Sequence, residues 1–359
     1  MSAGSPPIRV LVVDDSAFAR KVVREVLSAE PGLEVVGIAR DGLDALEKIQ
    51  QLTPDVVCLD LVMPGLDGLG VLDALQGKPG PRVVVVSTTP EDGELALSAL
   101  QKGAVDIVQK PTALATDRLY EVSADLVAKV RIAAQAHPER LTRQGDAPAA
   151  RVAKGAPLAA LTAGRPPPKL VVLGASTGGP QALMRVLPLL PRDLPVPVAV
   201  VLHMPPGYTA SLAQRLHDAS AVDVVEAHDG VVFRPGLVVL ARAGMHLKVT
   251  REEGVLRGRL DVVPLDTPHR PAVDVLFRSA AATIGRDVLA VVLTGMGQDG
   301  TEGARAIHDA GGFVVSEAEE SCVVYGMPRA VYEAGLSDHV LPLGKIAATI
   351  DAASGRTER

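Results

Sequence analysis

From Ile8 to Lys110 the chain alternates short apolar runs with stretches whose apolar residues recur at helical spacing. Strands are expected at 8–13, 34–38, 56–59, 83–86 and 105–108, with amphipathic helices such as 17–29 and 43–51 between them. A strand followed by a helix, repeated along the chain, predicts a parallel sheet wrapped on both faces. A last helix is expected over 119–136.

The pattern lapses after that. "HPERLTRQGDAPAARVAKGAPLAALTAGRPPPK" is rich in Ala, Pro, Gly and Arg and holds no period, so residues 137–168 are expected to be a linker. A second series then begins. Strands are expected at 170–173, 198–202, 222–226, 237–240, 288–293 and 312–316, with helices at 181–187, 209–219, 273–284 and 303–310. The stretch 237–262 is broken by "AGM" and "REEG" and is expected to form a hairpin insertion. The fold class is therefore α/β: two doubly wound domains, 1–136 and 169–359, the second carrying a small β-hairpin.

Composition narrows the function. With 359 residues, two domains of ordinary size are expected. Aromatic residues make up 2% and Trp is absent, so the cores must be Val, Leu, Ile and Ala. A net charge of −6 argues against binding nucleic acid by bulk electrostatics. The start "MSAGSPPIRV" has no signal-peptide pattern, and no apolar run reaches membrane-spanning length, so the expectation is a cytoplasmic protein without membrane insertion. Cys58 and Cys322 sit in apolar runs, without metal-ligand spacing, and are expected to be buried as small hydrophobes.

Chemistry gathers at the expected strand ends. In the first domain these are Asp14 and Asp15, then Asp60, Ser87 and Lys110. Functional groups of a parallel sheet collect beyond the carboxyl ends of its strands. Three carboxylates in one small space need a cation, and a hard divalent ion such as Mg2+ fits them. One Asp beside that ion could then attack a phosphoryl group, with Lys110 neutralising the developing charge. The plainer alternative is that these Asp residues cap the helices that follow.

The segments "VDDS", "LDLVMPGLDG", "VVVVST" and "QKP" resemble the receiver domain of two-component response regulators, which has a flavodoxin-like fold. The resemblance implies that Asp60 accepts the phosphoryl group from a histidine kinase. It also implies that Asp14, Asp15, Asp60 and the Met63 carbonyl hold Mg2+, with Ser87 as the switch hydroxyl and Lys110 as the phosphate partner. The sequence departs from that pattern at Ile107, where many receivers carry Phe or Tyr.

In the second domain "GASTG" fits G-x-S-x-G at a strand-to-helix turn, which leaves Ser176 as a helix cap, part of a phosphate cradle or a nucleophile. The loop lacks the Lys-Ser/Thr ending of a P-loop and the Gly-x-Gly of a dinucleotide fingerprint. A nucleophilic serine needs a base and an orienting acid. Of eight His, His203 lies just beyond the apolar run 198–202; His217 and His308 fall in helical patterns and are expected on the surface. Asp299 follows the run 288–293 through a glycine-rich turn, where it could instead cap the helix after it. The order Ser, His, Asp differs from that of an α/β-hydrolase.

"GASTGGP", "HMPPGYT", "HRPAVDVLF", "LTGMGQDG" and "SCVVYGMPRA" resemble the catalytic domain of the chemotaxis protein-glutamate methylesterase family, CheB. The resemblance implies a Ser176, His203, Asp299 triad, with an oxyanion hole from the backbone of Thr177 and Met296. It implies hydrolysis of glutamate methyl esters on methyl-accepting chemoreceptors, and deamidation of glutamine, with no cofactor for that step. It also implies that the unphosphorylated receiver covers the active site. Receptors of another pathway as substrates, or a non-catalytic adaptor, are the alternatives.

Overall fold

The computed structural model describes residues 6–87, 93–110, 116–142 and 166–355. The chain divides into two compact units, with the boundary between Ala136 and His137.

The first unit holds one parallel sheet, with strands β1 (Ile8–Val13), β2 (Leu33–Ala39), β3 (Val56–Leu59), β4 (Arg82–Ser87) and β5 (Asp106–Gln109) in the order β2-β1-β3-β4-β5. Every residue of β3 is buried, as an apolar run in a two-sided sheet requires. The strand order reverses between β1 and β3, and the crevice beyond their carboxyl ends is where such sheets bind ligands. The helices start on their own caps. Ser16 caps Ala17–Ser28 and Asp67 caps Gly68–Leu75, each side chain accepting a backbone N–H of the first turn. Asp14 and Asp60 are therefore not the caps of the helices that follow them.

The second unit contains β6 (Leu170–Ala175), β7 (Val198–Leu202), β8 (Asp223–Glu226), β9 (Val231–Val232), β10 (Leu237–Leu240), β11 (His246–Glu252), β12 (Val255–Asp261), β13 (Val288–Val292), β14 (Phe313–Glu317) and β15 (His339–Leu341). Seven of them form a parallel sheet in the order β15-β14-β13-β6-β7-β10-β8. The chain builds outward from β6 to one side, then returns with β13 to the other, so its switch point lies between β6 and β13. Helix Val273–Ile284 buries Val273, Leu276, Phe277 and Ala280 in the core with Val172, Ala290 and Val292 of that sheet.

Three expectations are corrected. Residues 237–240 form β10 of the main sheet; the insertion is the β11–β12 hairpin, with β9 as its third strand. Its two-residue turn, Glu253-Gly254, has positive φ at both positions (50° and 82°), the conformation that matches strand twist in a tight hairpin. The helix after Ser176 spans Gly179–Val186, so it begins two residues before the expected start at 181. The first residues of the expected linker are structured: His137 N–H donates to Val323 O (2.9 Å), Arg140 Nη1 donates to Glu319 O (2.8 Å), and 139–142 form a helical turn of the second unit. Residues 143–165 of that stretch lie outside the described residues. No helix among the described residues is long and apolar enough to cross a membrane.

Candidate active site

Ser176, His203 and Asp299 follow three neighbouring strands. Ala175 pairs with Leu202 across β6 and β7, and His203 N–H donates to Ala175 O (3.1 Å), so Ser176 and His203 are the next residues along adjacent strands. On the other side of β6, Ser176 N–H donates to Thr294 O (3.0 Å), just past the end of β13. Asp299 lies on the loop that continues from there.

The acid is held by three donors. Asp299 Oδ2 accepts from His203 Nε2 (2.8 Å) and from Val273 N–H (2.7 Å), and Oδ1 accepts from Asp274 N–H (2.9 Å). Burial alone would raise this carboxyl, but the bonds from His203 and the two backbone groups outweigh it and hold it below the ordinary value. An ionised acceptor at Nε2 fixes the imidazole tautomer: Nε2 carries the hydrogen and Nδ1 the lone pair. Nδ1 is buried and has no hydrogen-bond partner. Nδ1 makes no hydrogen bond to Ser176 Oγ; the two residues are neighbours through their backbones, at the ends of β6 and β7.

Asp299 does serve as a helix cap, though not for the helix expected. It caps Val273–Ile284, while Asp274 of that helix accepts from Gly300 N–H (2.9 Å) and Gly303 N–H (2.7 Å) at the start of Thr301–Asp309. The two aspartates exchange caps, which ties the acid loop to the core helix. Burial pushes the Asp274 carboxyl up.

The serine turn is fitted tightly. Gly178 sits at φ +79°, and a Cβ there would meet Val323 Cβ at 2.6 Å, so both conformation and space exclude a side chain. A Cβ at Gly295 would lie 2.7 Å from Ser176 Cβ. Thr177 is buried, and its carbonyl accepts from Thr294 Oγ1 (3.0 Å). Met296 is half-buried and follows a peptide fixed on both sides: Gly295 N–H donates to Val324 O (3.1 Å), while Gly295 O accepts from Gly326 N–H (3.1 Å) and Met327 N–H (2.9 Å).

Two residues near the site were not picked out by the sequence pattern. His269 stacks on His203, ring centroids 4.0 Å apart and 25° from parallel. Its only signal is the "HRP" that precedes Val273–Ile284. Glu317, the last residue of β14, is fully buried, and its Oε2 accepts from Thr294 N–H (2.7 Å). A lone Glu closing an apolar strand was its signal.

In the first unit, Lys110 Nζ lies 2.8 Å from Asp14 Oδ2 and 2.7 Å from Asp60 Oδ2, with all three groups buried. Asp15 is exposed, and carboxylate oxygens of Asp14, Asp15 and Asp60 lie within 4.8 Å of one another. Burial, with Asp14 close by, raises the Asp60 carboxyl despite Lys110. Burial would lower Lys110, but its bonds to Asp14 and Asp60 prevail and raise it. One ammonium does not balance three carboxylates, and an oxygen-only donor set suits a hard divalent cation. Ser87 ends β4, buried, and its carbonyl accepts from Lys110 N–H (2.6 Å). Met63 is buried in the loop after Asp60, and Ile107 is buried in β5 opposite Val85. Cys58 and Cys322 are buried free thiols, as expected.

Comparison with known proteins matches two families in the same order. Residues 171–350 match the CheB methylesterase family, and residues 10–122 match the response regulator receiver domain. A protein-glutamate methylesterase/protein-glutamine glutaminase of Myxococcus xanthus is 60% identical over 94% of this chain and 95% of its own length. One of Geobacillus kaustophilus is 47% identical over 96% of this chain and 97% of its own. Among solved structures, the Thermotoga maritima CheB methylesterase catalytic domain is similar at 45% identity and a TM-score of 0.50, covering 51% of this chain and 97% of that one.

Proposed function

The chain belongs to the CheB methylesterase family, as a hydrolase of the protein-glutamate methylesterase and protein-glutamine glutaminase class with a receiver domain in front, and we propose that Ser176, His203 and Asp299 are its catalytic triad. The observation that carries this reading is the hydrogen bond of His203 Nε2 to Asp299, which leaves Nδ1 unbonded on the residue that follows β7 as Ser176 follows the adjacent β6.

Ser176 Oγ bonds to the ester carbonyl carbon as its proton passes to His203 Nδ1. Backbone N–H groups of Thr177 and Met296 receive the oxyanion, and the start of helix Gly179–Val186 adds a favourable dipole. The imidazolium returns the proton to the departing methoxide, methanol leaves, and a glutamyl ester remains on Ser176. Water gives a proton to the same nitrogen and bonds to the acyl carbon; the Oγ–carbon bond then breaks as that proton returns to Ser176 Oγ, and glutamate is released. On a glutamine amide the leaving group is ammonia, and the product is the same. The substrates are side chains on the cytoplasmic helices of methyl-accepting chemoreceptors.

Control comes from the first unit. Asp60 accepts a phosphoryl group from a histidine kinase, and its phosphorylation raises access to the esterase site, a shift between closed and open populations. Asp14, Asp15 and Asp60, with the Met63 carbonyl, would hold Mg2+, which supplies charge neutralisation for phosphoryl transfer. Lys110 pairs with the phosphoryl oxygens, and Ser87 follows the new group as the switch hydroxyl.

Methanol release from a methylated receptor tests the reading, with and without a small phosphodonor and Mg2+. The wild type should be stimulated by the phosphodonor, and Ser176→Ala should lose roughly three or more decades in rate. A Ser176→Ala enzyme near the wild-type rate would refute the mechanism; a wild type indifferent to the phosphodonor would refute the control.

A further inference from the structure

Glu317 is a carboxyl group with no exposed surface, and the triad chemistry leaves it without a task. Burying such a group is costly unless its bonds repay the lost hydration. No cation pairs with it among the described residues. Glu320 raises its pKa by like charge, and Cys322, whose thiol donates to the Glu317 backbone carbonyl, supplies no positive charge either.

Its bonds lead to the serine turn. Glu317 Oε2 accepts from Thr294 N–H (2.7 Å). Thr294 O accepts from Ser176 N–H (3.0 Å), and Thr294 Oγ1 accepts from Val324 N–H (3.0 Å) and has Thr177 O (3.0 Å) as the nearer and Val324 O (3.2 Å) as the farther acceptor for its hydrogen. The next two residues after Thr294 are Gly295 and Met296. One buried peptide therefore touches the nucleophile's own backbone and leads into the proposed oxyanion loop, and Glu317 is what holds it from behind.

We propose that Glu317 is a positioning residue for ester cleavage: its carboxyl fixes Thr294, and Thr294 fixes both the Ser176–Thr177 turn and the peptide leading to Met296. This rests on the reading of Ser176 as nucleophile. The group acts through Thr294 and touches no substrate.

The other carboxyl oxygen makes the arrangement tolerant of a proton. Glu317 Oε1 accepts from Ser321 Oγ (2.9 Å), Ser321 Oγ accepts from Leu343 N–H (2.9 Å), and Ala318 O lies within reach of the same hydroxyl (3.2 Å). If Oε1 carries a proton it can donate to Ser321 Oγ while the serine hydroxyl turns to Ala318 O. The bond to Thr294 survives either way. Burial pushes this carboxyl up to about 7, so both forms occur near neutral pH. Glutamine reproduces the protonated pattern: its carbonyl accepts from Thr294, and its amide donates to Ser321.

The test is kcat and KM of the full chain for methanol release from a methylated receptor. Glu317→Leu keeps the size and removes the acceptor; its kcat should fall roughly 10- to 100-fold at unchanged KM, the cost of a small misplacement of reacting groups. Glu317→Gln should stay within about threefold of wild type, because it restores the acceptor. A folded Glu317→Leu with wild-type kcat overturns the proposal, and so does a Glu317→Gln as slow as Glu317→Leu. If Glu317→Leu does not fold, Thr294→Val decides: it keeps the N–H to Glu317 and loses the hydroxyl's bonds to Thr177 O and Val324 N–H. A drop in kcat at unchanged KM supports the proposal, and unchanged kcat overturns it. Ser176→Ala runs beside these variants. Activity there overturns the nucleophile reading itself; an inactive Ser176→Ala beside a fully active Glu317→Leu overturns the positioning role alone.

Discussion

The acidic pocket of the first unit and the serine site of the second stand at the same place in their sheets, beyond the carboxyl ends of parallel strands where the strand order reverses. Their electrostatics are opposite. In the pocket, one Lys110 lies between two buried carboxylates, with Asp15 close by, and Asp60 is left above its ordinary range. In the serine site, Asp299 receives two backbone N–H groups and His203, and is held below its ordinary range. The pocket sets three carboxylates against the one ammonium of Lys110. In the serine site the donors to Asp299 are already in place, two of them fixed backbone groups. The two sites thus differ in how their buried carboxylates are compensated, by a shared ammonium in the pocket and by hydrogen bonds at Asp299.

The sharpest way to break this contrast is to disturb the serine site. His203→Ala should cost roughly three or more decades in kcat, and Asp299→Asn roughly two to four, because the amide no longer enforces the tautomer that leaves Nδ1 basic. Both are read by methanol release. An Asp299→Asn enzyme near the wild-type rate would mean that the acid is a helix cap and nothing more.

Glu317 sharpens the comparison from within the second unit, since it is a buried carboxyl that lacks the compensation Asp299 enjoys. Its pKa rises from 4.5 to about 7 on folding. Between those values the native chain holds a proton that the unfolded chain releases, so stability falls as pH rises across that window. Glu317→Gln should remove this dependence. Relative to wild type it should gain roughly 1–3 kcal/mol between pH 5 and pH 8, measured by denaturant unfolding. An identical pH dependence in both proteins would show that Glu317 is fully compensated.

The smallest effect is expected in the pocket. Mg2+ at about ten times its Kd should stabilise the first unit by about 1.4 kcal/mol, read as a shift in its thermal unfolding. Asp15→Asn should reduce the shift. A wild type unmoved by Mg2+ would mean that Lys110 alone satisfies the pocket.

Much of this was legible in the sequence because strands buried on both faces must be apolar throughout. Such runs end where the chemistry begins, which placed Ser176, His203 and Asp299 after β6, β7 and β13, and Asp14, Asp60 and Lys110 after β1, β3 and β5. What sequence could not give was adjacency. That β13 returns to lie beside β6 is a property of the whole sheet, and only this brings Thr294 onto Ser176. The target of Asp299 was missed for the same reason: its cap lies on a helix that starts 26 residues earlier in the chain. β15, three residues long, is too short to show a period, and residues 237–240 could not be distinguished from the hairpin that follows them. Stacking of His269 on His203 depends on ring geometry that no spacing encodes.

The most direct measurement is to quench the full chain during turnover of a methylated receptor and examine the peptide carrying Ser176 by mass spectrometry. A glutamyl ester on Ser176, appearing with methanol and disappearing as glutamate forms, is the predicted result. Methanol release at full rate with no adduct on that peptide, and undiminished in Ser176→Ala, would contradict it.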